Sequence, residues 1–392
     1  MTLEDKKIYF YAGRSHHVQR LDGIVQSLAA AGADCIWLTS DNYLNFDPNS
    51  MHLIQSGKKF VHGLEYFPSG VSGNVVAAAS QVLSEIKGEW AGDIRSYVDP
   101  FYLVSSVHEF CETLLCFDQF LQREKPDLVS VLHGGNAWGN LLAYLCKAHG
   151  VPCLGYMEGA LRARDQETQG KQSLAAEYVS HLCVWSEAAK ESYLAAGVPA
   201  EKLYVTGVPH LDPWLNQQKP AKAGKLVAFC PPLVSRYEGD LGKAISQLSE
   251  WAQKNKTALL IRMHPFDGQD VGQQVRQQLI GNPFVQVYDE DTLSLLSIAD
   301  VVISQHSTVA VEALALGVPL VELDLDGVGV LESLAEQGAA VSVGAGQLDR
   351  LNQILEGKLV PANLREWRSR NLGLLDSRSV ERVVNVIDGI LN

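Results

Sequence analysis

One short stretch near the C-terminus constrains the fold of this chain more than any other. Residues 303–321, ISQHSTVAVEALALGVPLV, have the pattern of a strand end, a polar turn, a helix and a second strand. A strand, a helix and a further strand in succession form the unit from which parallel α/β sheets are built. The same alternation opens the chain, where the apolar run KIYFYA precedes a polar turn, a helical segment and the strand ADCIWLT. The sequence therefore predicts a parallel α/β fold.

The predicted helix of this stretch begins at a point suited to an anion. Ser307 and Thr308 stand at its start, where free backbone N–H groups and the helix dipole attract negative charge. Glu312 follows about one turn later, where it could accept hydrogen bonds from a ribose diol. Arg262 and His264, at the end of the strand ALLIRMHP, add two phosphate donors. We predict a nucleotide phosphate site, because a well-capped core helix would explain Ser307 but not this clustering.

Polar side chains also follow successive strands of the N-terminal half. Ligands bind where such turns share one edge of a parallel sheet. Glu158 is the first candidate for a general base, followed by His16 or His17. A carboxylate in such a position is expected to have a pKa near working pH. The alternative for His16 is a solvated loop histidine.

Three more polar residues are candidates for contacts with a sugar. Arg14 and Asn136 lie in turns that follow predicted strands, and Asp324 lies in the sequence Asp-Leu-Asp after another strand. We expect no metal ligands among the cysteines and histidines, which show no zinc-type grouping. The first turn holds one glycine where a dinucleotide-binding motif needs three, so we expect no nicotinamide cofactor.

The length of 392 residues predicts two domains. The segment HLDPWLNQQKPAKAGK is polar, contains two prolines and has weak periodicity, as is typical of a linker. We therefore divide the chain into an N-terminal domain (1–212), a linker (213–225) and a nucleotide-binding C-terminal domain (226–392) that includes the terminal helices.

The formal net charge of −13 argues against nucleic acid as a partner, since phosphate backbones require a basic face. A local basic patch leaves peripheral contact with a membrane open. We expect neither an export signal nor a membrane-spanning segment. The seven cysteines are scattered without a CxxC pair, which predicts free thiols and a cytoplasmic protein.

Two segments resemble the GT-B group of sugar-nucleotide enzymes. Residues 183–212 resemble the end of the first domain in that group, and Arg262-Met263-His264-Pro265 with HSTVAVEALALGVP resembles the second-domain signature of bacterial capsule and teichoic-acid glycosyltransferases. The resemblance implies two Rossmann-like domains that face each other across a cleft, with no metal requirement. It implies transfer of a sugar from a nucleotide-sugar donor to a glycan or lipid-linked acceptor in surface-polysaccharide assembly.

A second resemblance points to a different activity. HGGN and VPCLGYMEGALR are similar to the HGDT and EAGLR motifs of the non-hydrolysing UDP-N-acetylglucosamine 2-epimerases, and Gly13-Arg14-Ser15-His16 is similar to their GTRPE. Gly135 stands where that family has an acid, and its PEE-and-NR segment is missing. We therefore predict a glycosyltransferase first and a sugar-nucleotide epimerase or hydrolase as the alternative. A non-enzymatic sugar-binding protein is the third hypothesis.

Overall fold

The computed structural model describes residues 3–13, 15–40, 58–71, 75–85, 103–133, 137–159, 176, 178–217, 224–264, 267–305 and 307–392. The chain forms two compact units. The first comprises Met1–His210 together with Arg378–Asn392, and the second comprises Leu211–Ser377.

The first unit is built on a seven-stranded parallel sheet. Its strands are β1 (Lys7–Tyr11), β2 (Asp34–Thr39), β3 (Phe60–His62), β4 (Leu128–His133), β5 (Cys153–Met157), β6 (His181–Val184) and β7 (Leu203–Val205). They lie in the order β3-β2-β1-β4-β5-β6-β7. The chain thus reverses its direction of travel across the sheet between β1 and β4, the kind of point at which open α/β sheets bind ligands.

The α-helices between these strands in the described part of the unit are α1 (Ser15–Ala30), α2 (Val75–Glu85), α3 (Leu103–Glu124), α4 (Ala137–His149) and α5 (Glu187–Ala195). Local sequence sets their ends. Ser186 caps α5 by accepting a hydrogen bond from the Ala189 N–H, and Gly197 follows the helix with φ of +87°, a conformation that glycine adopts without strain. The central strands are buried on both faces, and every residue of β5 is buried.

The second unit contains a six-stranded parallel sheet in the order β10-β9-β8-β11-β12-β13. Its strands are β8 (Leu226–Phe229), β9 (Ala258–Ile261), β10 (Val285–Val287), β11 (Val301–Ile303), β12 (Leu320–Asp324) and β13 (Val341–Gly344). The direction of travel reverses between β8 and β11. Its helices are α6 (Asp212–Leu215), α7 (Leu241–Asn255), α8 (Gly268–Gln278), α9 (Thr292–Ile298), α10 (Thr308–Ala315), α11 (Arg350–Leu355) and α12 (Leu364–Leu372).

The predicted α/β fold with two Rossmann-like domains of parallel strands is confirmed. The segment predicted as a linker begins differently from the expectation, because α6 occupies Asp212–Leu215 and the division between the units falls after His210. Among the helices that the structure describes, none combines the length and the apolar character needed to cross a bilayer.

The last helix, α13 (Ser379–Leu391), belongs to the first unit, whereas the sequence division placed it in the second domain. Its apolar face, formed by Val383, Val384 and Ile387, lies in the same buried core as residues of β1 and α1. Arg382 Nε donates a 2.9 Å hydrogen bond to the Thr206 carbonyl oxygen, which ties the helix to the end of β7. An amphipathic pattern predicts that a helix buries one face, but it does not say against which core.

Candidate functional site

Two histidines and a glutamate meet at the carboxyl edge of the first sheet. His16 and His17 lie in the first turn of α1, which follows β1, and Glu158 directly follows β5. His16 Nε2 lies 2.9 Å and His17 Nε2 lies 3.5 Å from the same oxygen, Oε1 of Glu158. The two imidazole rings pack edge to face, with 4.6 Å between their centroids. The three residues predicted as candidate catalytic groups are therefore in mutual contact.

The backbone determines how His17 takes part. The Gly13 N–H donates a 3.3 Å hydrogen bond to His17 Nδ1, so this nitrogen acts as the acceptor. A neutral imidazole has one donor and one acceptor nitrogen, so the proton of His17 lies on Nε2, the atom nearest Glu158. Arg20 Nη1 donates to the Glu158 carbonyl oxygen and fixes the main chain there.

These contacts determine the charges in the cluster. Burial opposes ionisation of Glu158, but hydrogen bonds from His16 and His17 outweigh it and hold the pKa of this carboxyl below its usual range. Burial and the nearby charge of Arg20 lower the pKa of His16 to about 4, although its hydrogen bond with Glu158 acts in the opposite direction. At neutral pH the cluster thus contains a carboxylate beside the neutral imidazole of His16. The expected near-neutral pKa of Glu158 is wrong, because sequence does not show how many donors converge on a carboxylate.

Spacing alone would admit a metal ion at this cluster, since one ligand atom from each of His16, His17 and Glu158 lies within 4.8 Å of the other two. The hydrogen bond at the other ring nitrogen of His17 argues against a metal ion. Histidines that bind metals donate a hydrogen bond from their other nitrogen. At His17 that nitrogen instead receives a hydrogen bond from Gly13. Metal binding through Nε2 would place two hydrogens against each other at Nδ1.

At the corresponding edge of the second sheet, Arg262 directly follows β9. Its Nη1 donates to the Met263 carbonyl oxygen at 3.3 Å, while its Nε is buried and has no hydrogen-bond partner among the described residues. Buried donors are nearly always satisfied, so an orphaned guanidinium N–H indicates a place for an external acceptor. His264 lies two residues further on and is half-buried.

The predicted helix start is also present at this edge. Ser307 is the N-cap of α10, and its hydroxyl accepts a hydrogen bond from the Ala310 N–H at 3.2 Å. The same hydroxyl lies 3.1 Å from Ser304 Oγ, whose own hydrogen is directed to the Cys230 carbonyl oxygen at 2.6 Å. The Ser307 side chain is therefore engaged within the protein. Thr308 begins the helix and is half-buried.

Arg262 and Glu312 both act electrostatically on the thiol of Cys230. Burial raises the pKa of the Cys230 thiol to about 12, the Arg262 charge lowers it and the Glu312 charge raises it further. Both charged groups thus act on the residue that follows β8, next to the point where the second sheet reverses its direction of travel. Glu312 is only 4% exposed. The cation, the carboxylate and the helix start predicted from sequence therefore belong to one neighbourhood.

The candidate sugar contacts have different outcomes. The carboxylate of Asp324 accepts hydrogen bonds from Val328 N at 3.0 Å and Gly329 N at 3.1 Å, so it shapes the loop that follows β12. Arg14 and Asn136 lie outside the described residues, as does Gly135.

Sequence reasoning missed Gln305, which is 3% exposed. Its side chain donates to the Glu238 carbonyl oxygen and accepts from the Glu238 N–H, both at 2.8 Å, as a neighbouring strand would. The residue thereby fastens the loop between β8 and α7 to the carboxyl edge of the sheet. A polar residue directly after a buried strand was the available signal, but its partner lies 67 positions away.

Comparisons with known proteins identify a family. A sequence model of the UDP-N-acetylglucosamine 2-epimerase family matches residues 104–388. No curated protein sequence matches the chain.

Many solved structures are similar to nearly the whole chain, among them the following three. A UDP-GlcNAc 2-epimerase from Neisseria meningitidis bound to UDP-GlcNAc has 14% identity and a TM-score of 0.62, covering 98% of this chain and 100% of its own. The UDP-GlcNAc 2-epimerase from Methanocaldococcus jannaschii has 15% identity and a TM-score of 0.63, covering 98% and 99%. The calicheamicin glycosyltransferase CalG4 has 15% identity and a TM-score of 0.58, covering 99% and 98%. At these identities the structures show the fold alone, which is the predicted GT-B type.

The predicted glycosyltransferase activity is wrong, because the family that matches is one of epimerases. The fold is common to both kinds of protein and does not discriminate between them. The comparisons give no support to a glycan or lipid-linked acceptor. Because the match extends over well more than half of the sequence, the chain belongs to the UDP-N-acetylglucosamine 2-epimerase family.

Proposed function

We propose that the protein is a sugar-nucleotide epimerase that inverts C2 of UDP-N-acetylglucosamine or of a closely related nucleotide sugar. The observation that carries the proposal is the match of the epimerase family over residues 104–388. Two of the similar solved structures are described as bound to UDP-GlcNAc.

The first unit supplies the proton-transfer groups in this proposal. Inverting a carbon centre requires removal of its proton from one face and return of a proton to the other. Gly135 replaces the acid of the HGDT motif, so proton transfer depends on the other groups that the chain retains. Glu158 is the candidate base, because two imidazole donors hold it as a carboxylate. His16, at 37% side-chain exposure, is the candidate partner that a ligand can reach.

The second unit supplies the nucleotide site. Arg262 has a buried donor without a partner among the described residues, and the start of α10 adds backbone N–H groups. Glu312 is the candidate acceptor for the ribose hydroxyls, while His264 and Thr308 are candidate phosphate donors. Because the Ser307 hydroxyl is engaged in capping, its proposed role is to hold the helix start in place.

The test is incubation of the protein with UDP-N-acetylglucosamine in D2O, without an acceptor. We expect a C2 epimer with deuterium at C2, detected by NMR and mass spectrometry. Glu158→Gln should reduce kcat by about 10²- to 10⁴-fold, the usual contribution of a positioned base. Arg262→Ala should weaken UDP binding in calorimetry. His149→Asn is the matched control, since His149 pairs with Asp118 at 2.8 Å in the same unit but away from the carboxyl edge.

Three outcomes would contradict the proposal. Release of UDP without an epimer would indicate hydrolysis, and binding without turnover would indicate the sugar-binding hypothesis. Equal activity of Glu158→Gln and wild type would exclude Glu158 as the base.

We also propose that the reaction needs no metal or other cofactor and takes place in the cytoplasm. All seven cysteines are free, and six of them are buried, as is usual in a reducing compartment. A rate that falls on treatment with EDTA would contradict the first statement. Recovery of the chain outside the cytoplasm on fractionation would contradict the second.

A further inference from the structure

We propose that His17 is a positioning residue for Glu158: the Gly13 backbone N–H fixes its tautomer, and its Nε2–H then holds the carboxylate in place for proton transfer. The inference rests on the proposed epimerase function for its catalytic meaning. Its structural content, a fixed tautomer and a donated hydrogen bond, can be measured independently of turnover.

The two adjacent histidines occupy different environments, which indicates different roles. The His17 side chain is 2% exposed, whereas that of His16 is 37% exposed, although both lie close to the same carboxylate oxygen. A residue as buried as His17 is shielded from a substrate and acts through its neighbour. His16 retains the exposure needed to meet a ligand.

The tautomer of His17 follows from its contact with the backbone. Gly13 N–H can only donate, so His17 Nδ1 must present a lone pair to keep the 3.3 Å contact. Protonation at Nδ1 would bring two hydrogens together and leave the Gly13 N–H unsatisfied in a buried place. His17 thus presents its Nε2–H to Glu158. The same constraint makes His17 a poor metal ligand.

The charged and titratable groups around Glu158 among the described residues are His16, His17 and Arg20. Arg20 donates to the main-chain carbonyl oxygen of Glu158. The two histidines each place Nε2 close to Oε1, and the loss of one should be visible in how readily the carboxyl ionises.

Three substitutions separate the two hydrogen bonds of His17. His17→Leu removes both. His17→Asn keeps an acceptor near the Gly13 N–H but is too short to donate to Glu158, and it covers the case in which the leucine variant fails to fold. His17→Gln restores a donor at the position of Nε2. A merely structural role predicts that stability alone responds, whereas a positioning role predicts that the ionisation of Glu158 responds.

The first measurement is 15N NMR of histidine-labelled protein, with the His17 signal identified by its disappearance in the substituted variants. We expect the pattern of a ring that carries its proton on Nε2 and a lone pair on Nδ1. The second is the pH profile of kcat/KM. The acid limb should move upward in His17→Leu and His17→Asn, with about a tenfold change in the ionisation constant, and should return in His17→Gln.

A ring protonated at Nδ1, or an acid limb that stays in place in both short variants, would overturn the proposal. Stoichiometric binding of Zn²⁺ by the wild type that is lost in His17→Asn would also overturn it, in favour of a metal site. If the NMR pattern is as expected but UDP-N-acetylglucosamine is not converted, the proposed function fails while the assignment of the His17 tautomer stands.

Discussion

Glu322 offers the sharpest test of how the second unit is held together. It lies in the middle of β12 and is fully buried. Its Oε2 accepts hydrogen bonds from Ser333 Oγ at 2.6 Å and from Ala335 N at 3.0 Å, and its Oε1 accepts one from Leu334 N at 2.9 Å. One carboxylate thus organises the turn that leads to β13.

The expected loss follows from the fate of each donor in Glu322→Ala. A hydrogen bond to a charged group contributes about 1.5–3 kcal/mol, and a buried unsatisfied donor costs a similar amount. The Leu334 N–H is buried, so water cannot replace the lost acceptor. The Ser333 hydroxyl can rotate to another partner, and the half-buried Ala335 N–H can reach water. Removal of the buried charge offsets part of the loss. We expect a net destabilisation of about 2–4 kcal/mol for alanine and a smaller one for Glu322→Gln, which keeps one acceptor.

Hydrogen exchange of the Leu334 amide measures this locally, without requiring the two units to unfold in one step. Its protection should fall in the order wild type, glutamine, alanine. Glu336→Ala is the matched control, because the Glu336 side chain is exposed two residues from Leu334, and it should change stability by less than about 0.5 kcal/mol. Equal protection in all four proteins would refute the reasoning.

Two further predictions concern the candidate site. The pKa of His16 is about 4 in the folded chain and about 6.5 in an unfolded one. As the pH falls, the unfolded state therefore binds the proton first. The stability that is present above pH 6.5 is consequently lost as the pH falls towards 4. Since the side chain is 37% exposed, we expect about 1–2 kcal/mol from it, and His16→Asn should flatten urea-denaturation stability over this interval. Gln305→Ala removes both hydrogen bonds to Glu238, so the loop before α7 should exchange its amides faster and UDP should bind more weakly; unchanged exchange there would contradict the assignment.

Most of the fold could be predicted from sequence because strand and helix signals are local. The apolar run of β1, the serine that caps α10 and the glycine after α5 each act within a few residues. The contact among His16, His17 and Glu158 could also be predicted, since the carboxyl ends of parallel strands share one edge of the sheet.

What could not be predicted depends on distant partners. The low pKa of Glu158 requires two donors that lie more than 140 positions away along the chain. The burial of Glu322 and the role of Gln305 depend on backbone groups of remote loops. The prediction of transfer rather than epimerisation failed for another reason: one fold serves both activities, and Gly135 stands where the epimerase pattern has an acid.

The position of α13 has a consequence for biosynthesis. The first unit combines residues 1–210 with residues 378–392. On the ribosome, the apolar face of α1 that shares a core with α13 therefore stays uncovered until the second unit has been translated. At ordinary elongation rates that interval is on the order of ten seconds. During this time the nascent first unit presents an uncovered apolar surface, which α13 covers only after the second unit has been synthesised.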